Sequence, residues 1–219
     1  MDAADRISEA YRHCERIVRA HDKDRYIASL FAPSERRPFL FALYAFAYEI
    51  GRVRALSREP MAGTIRLQWW FEALGGLRAE EAAASPVMLA LQGAARQTGV
   101  SLLPLTAAVE ARQAELHGAP ASEGEAAEIV MAARFLGVEE DTIAAAAKRG
   151  AEAVTATEPD KARDAYVAFR RELAMLPERA LPAFLTVALV PLRLRRPHAP
   201  QWRRQLALLR AAWFGFPPG

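Results

Sequence analysis

Apolar residues recur along this chain at steps of three and four, the spacing that lines one face of an α-helix. Ile7, Tyr11, Cys14, Ile17 and Val18 predict an opening helix over residues 5–20. A charged step from His21 to Arg25 leads into 26–31, and Ala32-Pro33-Ser34 interrupts the period. Ser34 with Arg37-Pro38 reads as the start of a second long helix, carried by Phe39, Leu43, Phe46, Ala47, Ile50 and Val53 and ended by 57–60. Helices are predicted over 64–77, closed by Gly75-Gly76, and over 86–98 and 103–116, split by Gly99. Residues 117–124 form a polar connector, after which 125–136, 139–153 and 160–176 resume the helical period. Pro177 and Pro182 introduce an apolar helix to about Leu194, 195–200 is a linker, and 201–213 is a last amphipathic helix. Roughly nine or ten helices result, with ends good to a few residues.

Composition agrees with that period. Of 219 residues 47 are Ala, far more than a strand-rich protein would use. The fold class is therefore all-α, and the length suits a single domain over 1–219 with a sizeable core. The lone Cys14 excludes a disulfide framework and a Cys-based metal cage, and with no activating neighbour in sequence it reads as an inert helix residue. The four histidines are scattered without metal-ligand spacing.

Charge is unevenly spread. The net charge is +3, yet 179–219 hold seven Arg and no Asp or Glu, so this tail carries +7 and residues 1–178 carry −4. Such a tail can face phosphate, an anionic membrane or an acidic partner, or simply be a solvated face balanced by acidic helices. No nucleic-acid module accompanies it, so nucleic acid is not an expected partner. The N-terminus has no apolar run of a secretory signal, and 181–192 is too short and Pro-interrupted to span a bilayer. The expectation is a cytoplasmic protein able to lie peripherally on the inner membrane.

Residues 21–77 carry a family resemblance. Asp24-Arg25-Tyr26-Ile27-Ala28-Ser29-Leu30-Phe31, Arg36-Arg37-Pro38 and Leu40-Phe41-Ala42-Leu43-Tyr44-Ala45-Phe46 resemble the squalene/phytoene synthase family. Glu49-Ile50-Gly51-Arg52-Val53-Arg54, Ser57-Arg58-Glu59-Pro60 and Ile65-Arg66-Leu67-Gln68-Trp69-Trp70 resemble its branch of bacterial proteins and complex I assembly factors. Glu110-Ala111-Arg112, Glu115-Leu116, 181–184 and 202–205 extend the match more loosely. The resemblance implies an isoprenoid-synthase-like helical bundle around an apolar cavity, here shortened, with the missing stretch between Gly118 and Ala165. It also implies magnesium held by two Asp-rich motifs, because a prenyl diphosphate is ionised only when its charge is neutralised.

The sequence departs from that pattern where the chemistry would be. Tyr48 stands at the expected Arg, and Gly51, Arg52 and Ala55 stand at the expected aspartates. Asp22-Lys23-Asp24 replaces a phosphate-contacting Ser-x-Ser, and the Tyr-x-x-x-Val-Ala-Gly stretch is missing. The densest acidic run, Glu139-Glu140-Asp141, reads as a helix N-terminus. No metal ligand is assigned.

Candidate cavity or substrate-binding residues are Asp24, Arg25, Tyr26, Arg37, Tyr44, Tyr48, Glu49, Arg52 and Trp70. Asp24 and Arg25 form either a charged site at the cavity mouth or a mutual pair anchoring two helices. Glu49 and Arg52 either pair along one helix face or leave Glu49 in the cavity. Trp69 and Trp70 point apart, one to the core and one to a cavity or interface. Arg203, Arg204, Arg210 and Trp213 are candidate membrane or partner contacts on the last helix. The sequence thus reads as a family member that has lost magnesium-dependent prenyl transfer. It would bind a lipid, an isoprenoid or a respiratory-complex protein without a cofactor. The alternative is an active, magnesium-dependent prenyltransferase, a reading with which Arg37 and Tyr44 are compatible.

Overall fold

The computed structural model describes residues 3–56, 60–119 and 122–218. The first segment folds into α1 (Ala3–His21), α2 (Lys23–Ser29), α3 (Arg37–Gly51) and the single turn α4 (Val53–Leu56). The second holds α5 (Pro60–Leu74), α6 (Ala79–Ala84), α7 (Pro86–Thr98) and α8 (Thr106–Glu115). The third holds α9 (Ser122–Phe135), α10 (Glu140–Thr155), α11 (Pro159–Leu173), α12 (Leu181–Phe184), α13 (Val190–Arg195) and α14 (Gln201–Phe214). Among the described residues there is no strand.

α3 is the central element, and its composition says why. From Phe39 to Ala47 every residue is buried, so the helix is apolar on all faces and must be enclosed by others. α1, α2, α7, α8 and α9 enclose it. α9 passes contacts on to α10, and α10 to α11, where Ala146, Ala147, Ala151 and Ala162 bring backbones close. At Gly150 a Cβ would lie 3.2 Å from Val187 Cγ2 and 3.4 Å from Phe169, so the glycine lets these side chains pack directly on the α10 backbone. Residues 216–217 are fastened by the Tyr166 hydroxyl, which donates to the Pro217 carbonyl at 2.8 Å, and by Phe216, whose ring lies tilted 5.5 Å from that of Phe169.

Several predicted boundaries move for local reasons. The first short helix starts at Lys23, because the Asp22 carboxylate accepts the Arg25 backbone N–H at 3.0 Å and caps it. Ser34 does not cap α3: Arg36 holds that position, and the Ser34 hydroxyl donates to Glu35. α6 was hidden by an Ala/Glu run with no apolar period. The connector 117–124 is invaded by α9, which starts at Ser122. The apolar helix expected to run to Leu194 is broken into short α and 3-10 turns, since Pro182 and Pro191 each open a new turn and cannot continue an old one. Residues 57–59 of the motif Ser57-Arg58-Glu59-Pro60 lie outside the described residues, and Pro60 opens α5. Glu139-Glu140-Asp141 does begin a helix, α10.

Candidate functional site

Two acids three residues apart on α9, Glu125 and Glu128, are buried, and burying carboxylates is costly unless they are paired. Their partner comes from the first turn of α2. Arg25 Nη2 donates to Glu125 Oε1 and Oε2 at 2.7 and 2.8 Å and to Glu128 Oε2 at 2.7 Å. Arg112 on α8 closes the far side, donating to Glu128 Oε1 at 3.3 Å and to Glu115 Oε1 at 2.8 Å. Gly124 lets α8 and α9 approach this closely, since a Cβ there would lie 3.2 Å from Ala111 Cβ.

Electrostatics follow from that enclosure. Burial works to lower Arg25, but Glu125, Glu128 and Asp22 beside it hold it well above its ordinary range. Burial raises the Glu128 carboxyl, with Arg25 opposing. The Arg25 guanidinium also lies 5.0 Å over the Tyr44 ring, and burial pushes the Tyr44 phenol up.

Asp24 points the other way. It accepts from Gln201 Nε2 at 3.0 Å and pairs with Arg204, tying α14 to α2. The expected alternative of a mutual Asp24–Arg25 pair is therefore not what forms: each binds a different helix. Arg204, expected as a membrane or partner contact, is committed to this buried acid. Helix geometry explains the change, because Arg204 shares the inward face of α14 with Leu208 and Ala211.

Beside this network lies a cavity of about 420 Å³. Asp22, Asp24, Arg25 and Glu125 form one wall, Arg193, Arg196 and Arg204 another, and Val154, Leu189, Val190 and Leu192 are its apolar part. Arg193 caps α10 by donating to the carbonyls of Ala153, at 2.7 Å, and Val154. Burial lowers its pKa. The cavity can hold an apolar body whose anionic end meets arginines.

The remaining candidates do not converge on it. Tyr48 stacks on His21 at 4.5 Å, with Arg52 5.4 Å over its ring. Glu49 and Arg52 pair at 3.2 Å and, with Trp70, line a separate cavity of about 330 Å³. Trp70 is buried edge-on to Phe46, while Trp69 is half-buried and donates its indole N–H to Glu81 at 2.7 Å. Tyr26 stacks on Phe41, and Arg37 donates to the Ala32 carbonyl at 2.9 Å, closing the turn before α3. Arg203, Arg210 and Trp213 lie on α14 away from the cavity's acidic wall. Glu125, Glu128, Arg112 and Gln201 were missed as site residues. The legible signal was the Glu125/Glu128 pair, three residues apart in a stretch, 124–133, whose other residues are all Gly, Ala, Ile, Val or Met.

The architecture is that of the all-helical isoprenoid synthases. A solved dehydrosqualene synthase, crystallised with a ligand, superposes with a TM-score of 0.76 over 97% of this chain and 99% of that chain, at 13% identity. The squalene/phytoene synthase family model matches residues 18–128, just over half of the sequence. The chain belongs to the squalene/phytoene synthase family. Among curated relatives, NADH dehydrogenase (ubiquinone) complex I, assembly factor 6 of Bos taurus is 28% identical over 105 residues, 48% of this chain and 32% of that protein. The Homo sapiens protein of the same name is 28% identical over 104 residues, 48% of this chain and 31% of its own. The Drosophila melanogaster homolog is 33% identical over 72 residues, 32% and 22% respectively. The matches therefore span a third or less of each relative.

The residues present do not fit the magnesium that the family's synthases imply. Where the resemblance places aspartates stand Gly51, Arg52 and Ala55, and the Arg52 guanidinium repels a cation while pairing with Glu49. The buried acids of α9 already accept from Arg25 and Arg112. The buried side-chain atom left without an acceptor among the described residues is Arg112 Nε, a donor that suits an anion.

Proposed function

We propose that this chain is a binding member of its family that has given up magnesium-dependent prenyl transfer. It holds a lipid or isoprenoid with an anionic end, and it serves the assembly of a respiratory complex, the role named in the relatives' descriptions. The observation that carries this reading is Arg25 locked onto Glu125 and Glu128 beside the 420 Å³ cavity, so that the buried carboxylates there are already paired with an internal cation. A site that neutralises its own carboxylates with arginines has no hard oxygen ligands left for magnesium. The apolar part of the cavity and the arginines Arg193 and Arg196 supply the two ends of an amphipathic ligand site.

The test is turnover of farnesyl or geranylgeranyl diphosphate by the purified chain with magnesium. We expect no pyrophosphate release above an EDTA control, together with saturable binding of a fluorescent isoprenoid that Arg193→Ala weakens. Release of pyrophosphate that EDTA abolishes overturns the reading in favour of prenyl transfer.

A further inference from the structure

α14 has more apolar surface than its docking consumes. Its inward face holds Gln201, Arg204, Leu208 and Ala211, which meet Asp24 and the core. At 100° per residue, Trp202, Leu206, Leu209 and Trp213 fall together on the opposite side, at steps of four, three and four. All four are exposed, Trp213 by 74%, and Phe214 beside it by 81%. A docked helix needs one apolar face. This one has a second, aimed at solvent.

Charge says what covers it. Arg203 and Arg210 flank the stripe on one side, and Arg203 lies 4.9 Å over the Trp202 ring. The chain from Arg179 to the end carries seven arginines and no carboxylate, so the surroundings of the stripe are cationic while the rest of the molecule is net negative. A partner must offer an apolar layer beneath a negative surface. An anionic bilayer does both: Leu206 and Leu209 enter the acyl boundary, tryptophans at either end of the stripe suit the interface, and the arginines meet headgroup phosphates. Since no helix among the described residues is long and apolar enough to cross a membrane, the contact lies in the membrane plane.

We propose that the outer face of α14, with Trp202, Leu206, Leu209 and Trp213 as its apolar stripe and Arg203 and Arg210 at its flank, is a docking surface for anionic phospholipid bilayers. This goes beyond the ligand-binding reading and stands or falls separately from it, because the stripe faces away from the α2–α14 contact and takes no part in the cavity wall.

Cosedimentation of the full chain with phosphatidylcholine vesicles, with and without phosphatidylglycerol, tests it. Expected are binding only to the phosphatidylglycerol vesicles, a blue shift of tryptophan emission on binding, and weakening with added salt. Neutralising Arg203 and Arg210 in turn should cost about fivefold in partitioning each. Leu209→Asp with Trp213→Asp should abolish binding while leaving the thermal midpoint unchanged, since both side chains are exposed. Binding that survives this double variant, or absence of binding to phosphatidylglycerol vesicles, overturns the proposal. So does a dimer in sedimentation velocity that the same variant converts to monomer, which would assign the stripe to a second copy.

Discussion

Arg25 and Glu128 stand 103 residues apart in sequence and 2.7 Å apart in space, with the Glu128 side chain fully enclosed. The pair links α2 to α9 and, through Arg112, to α8, across the edge of the buried helix α3. Its loss should be felt by the whole bundle.

Arg25→Ala should destabilise the protein by about 3–5 kcal/mol, because two buried carboxylates lose their common partner. Glu128→Gln, which keeps the shape, should cost much less, since burial already disfavours the Glu128 charge. Urea denaturation of both variants checks the ordering. Equal costs would show that the charge of Glu128 matters as much as that of Arg25.

Asp24→Ala should cost about 2 kcal/mol by leaving Gln201 unpaired and freeing Arg204. The Arg204 side chain is 45% exposed, so screening keeps its share small and Asp24→Asn should cost only about 1 kcal/mol. Limited proteolysis should cut Asp24→Ala faster within 196–200, the linker that α14 holds in place. An unchanged cutting rate would mean that the apolar contacts of α14 suffice.

Burial pushes the Cys14 thiol from its ordinary 9.0 up to about 12. The native protein should resist alkylation at pH 8 and react only when unfolded. Because the folded state holds this proton more tightly than the unfolded one, its contribution to stability is complete below pH 9.0 and is lost as pH rises toward 12. Tyr11 and Tyr166, both pushed by burial from 10.0 to about 12, add loss of the same sign above pH 10.0. Denaturation midpoints between pH 8 and 12 check the sign.

Gly124→Ala and Gly51→Ala should move stability in opposite directions. A Cβ at Gly124 meets Ala111 Cβ at 3.2 Å, an atom fixed to its own helix backbone, so α8 and α9 must part at a net cost of about 1–2 kcal/mol. At Gly51 nothing lies within 4 Å, and the alanine should gain about 0.5 kcal/mol from its lower unfolded-state entropy. Thermal melts of the two variants decide this directly.

The sequence by itself determined the class of the fold. Apolar steps of three and four, an Ala-rich composition and prolines at helix starts are local properties, and they place α1, α7 and α10 to within a few residues and the start of α3, whose expected run through Val53 the structure divides into α3 and α4. The motifs over 21–77 also pointed to the family, since they lie in one continuous stretch. The Glu49–Arg52 pair was legible for the same reason, as three residues on one helix fix its geometry. Only the tertiary structure decided who neutralises whom. Arg25 chose Glu125 and Glu128 over its neighbour Asp24, and Arg204, though still partly exposed, pairs with Asp24, because α9 and α14 meet α2 at those turns. It also decided which face of α14 is left over. Periodicity shows that a helix has apolar residues, whereas the packing of its neighbours determines which of them are buried.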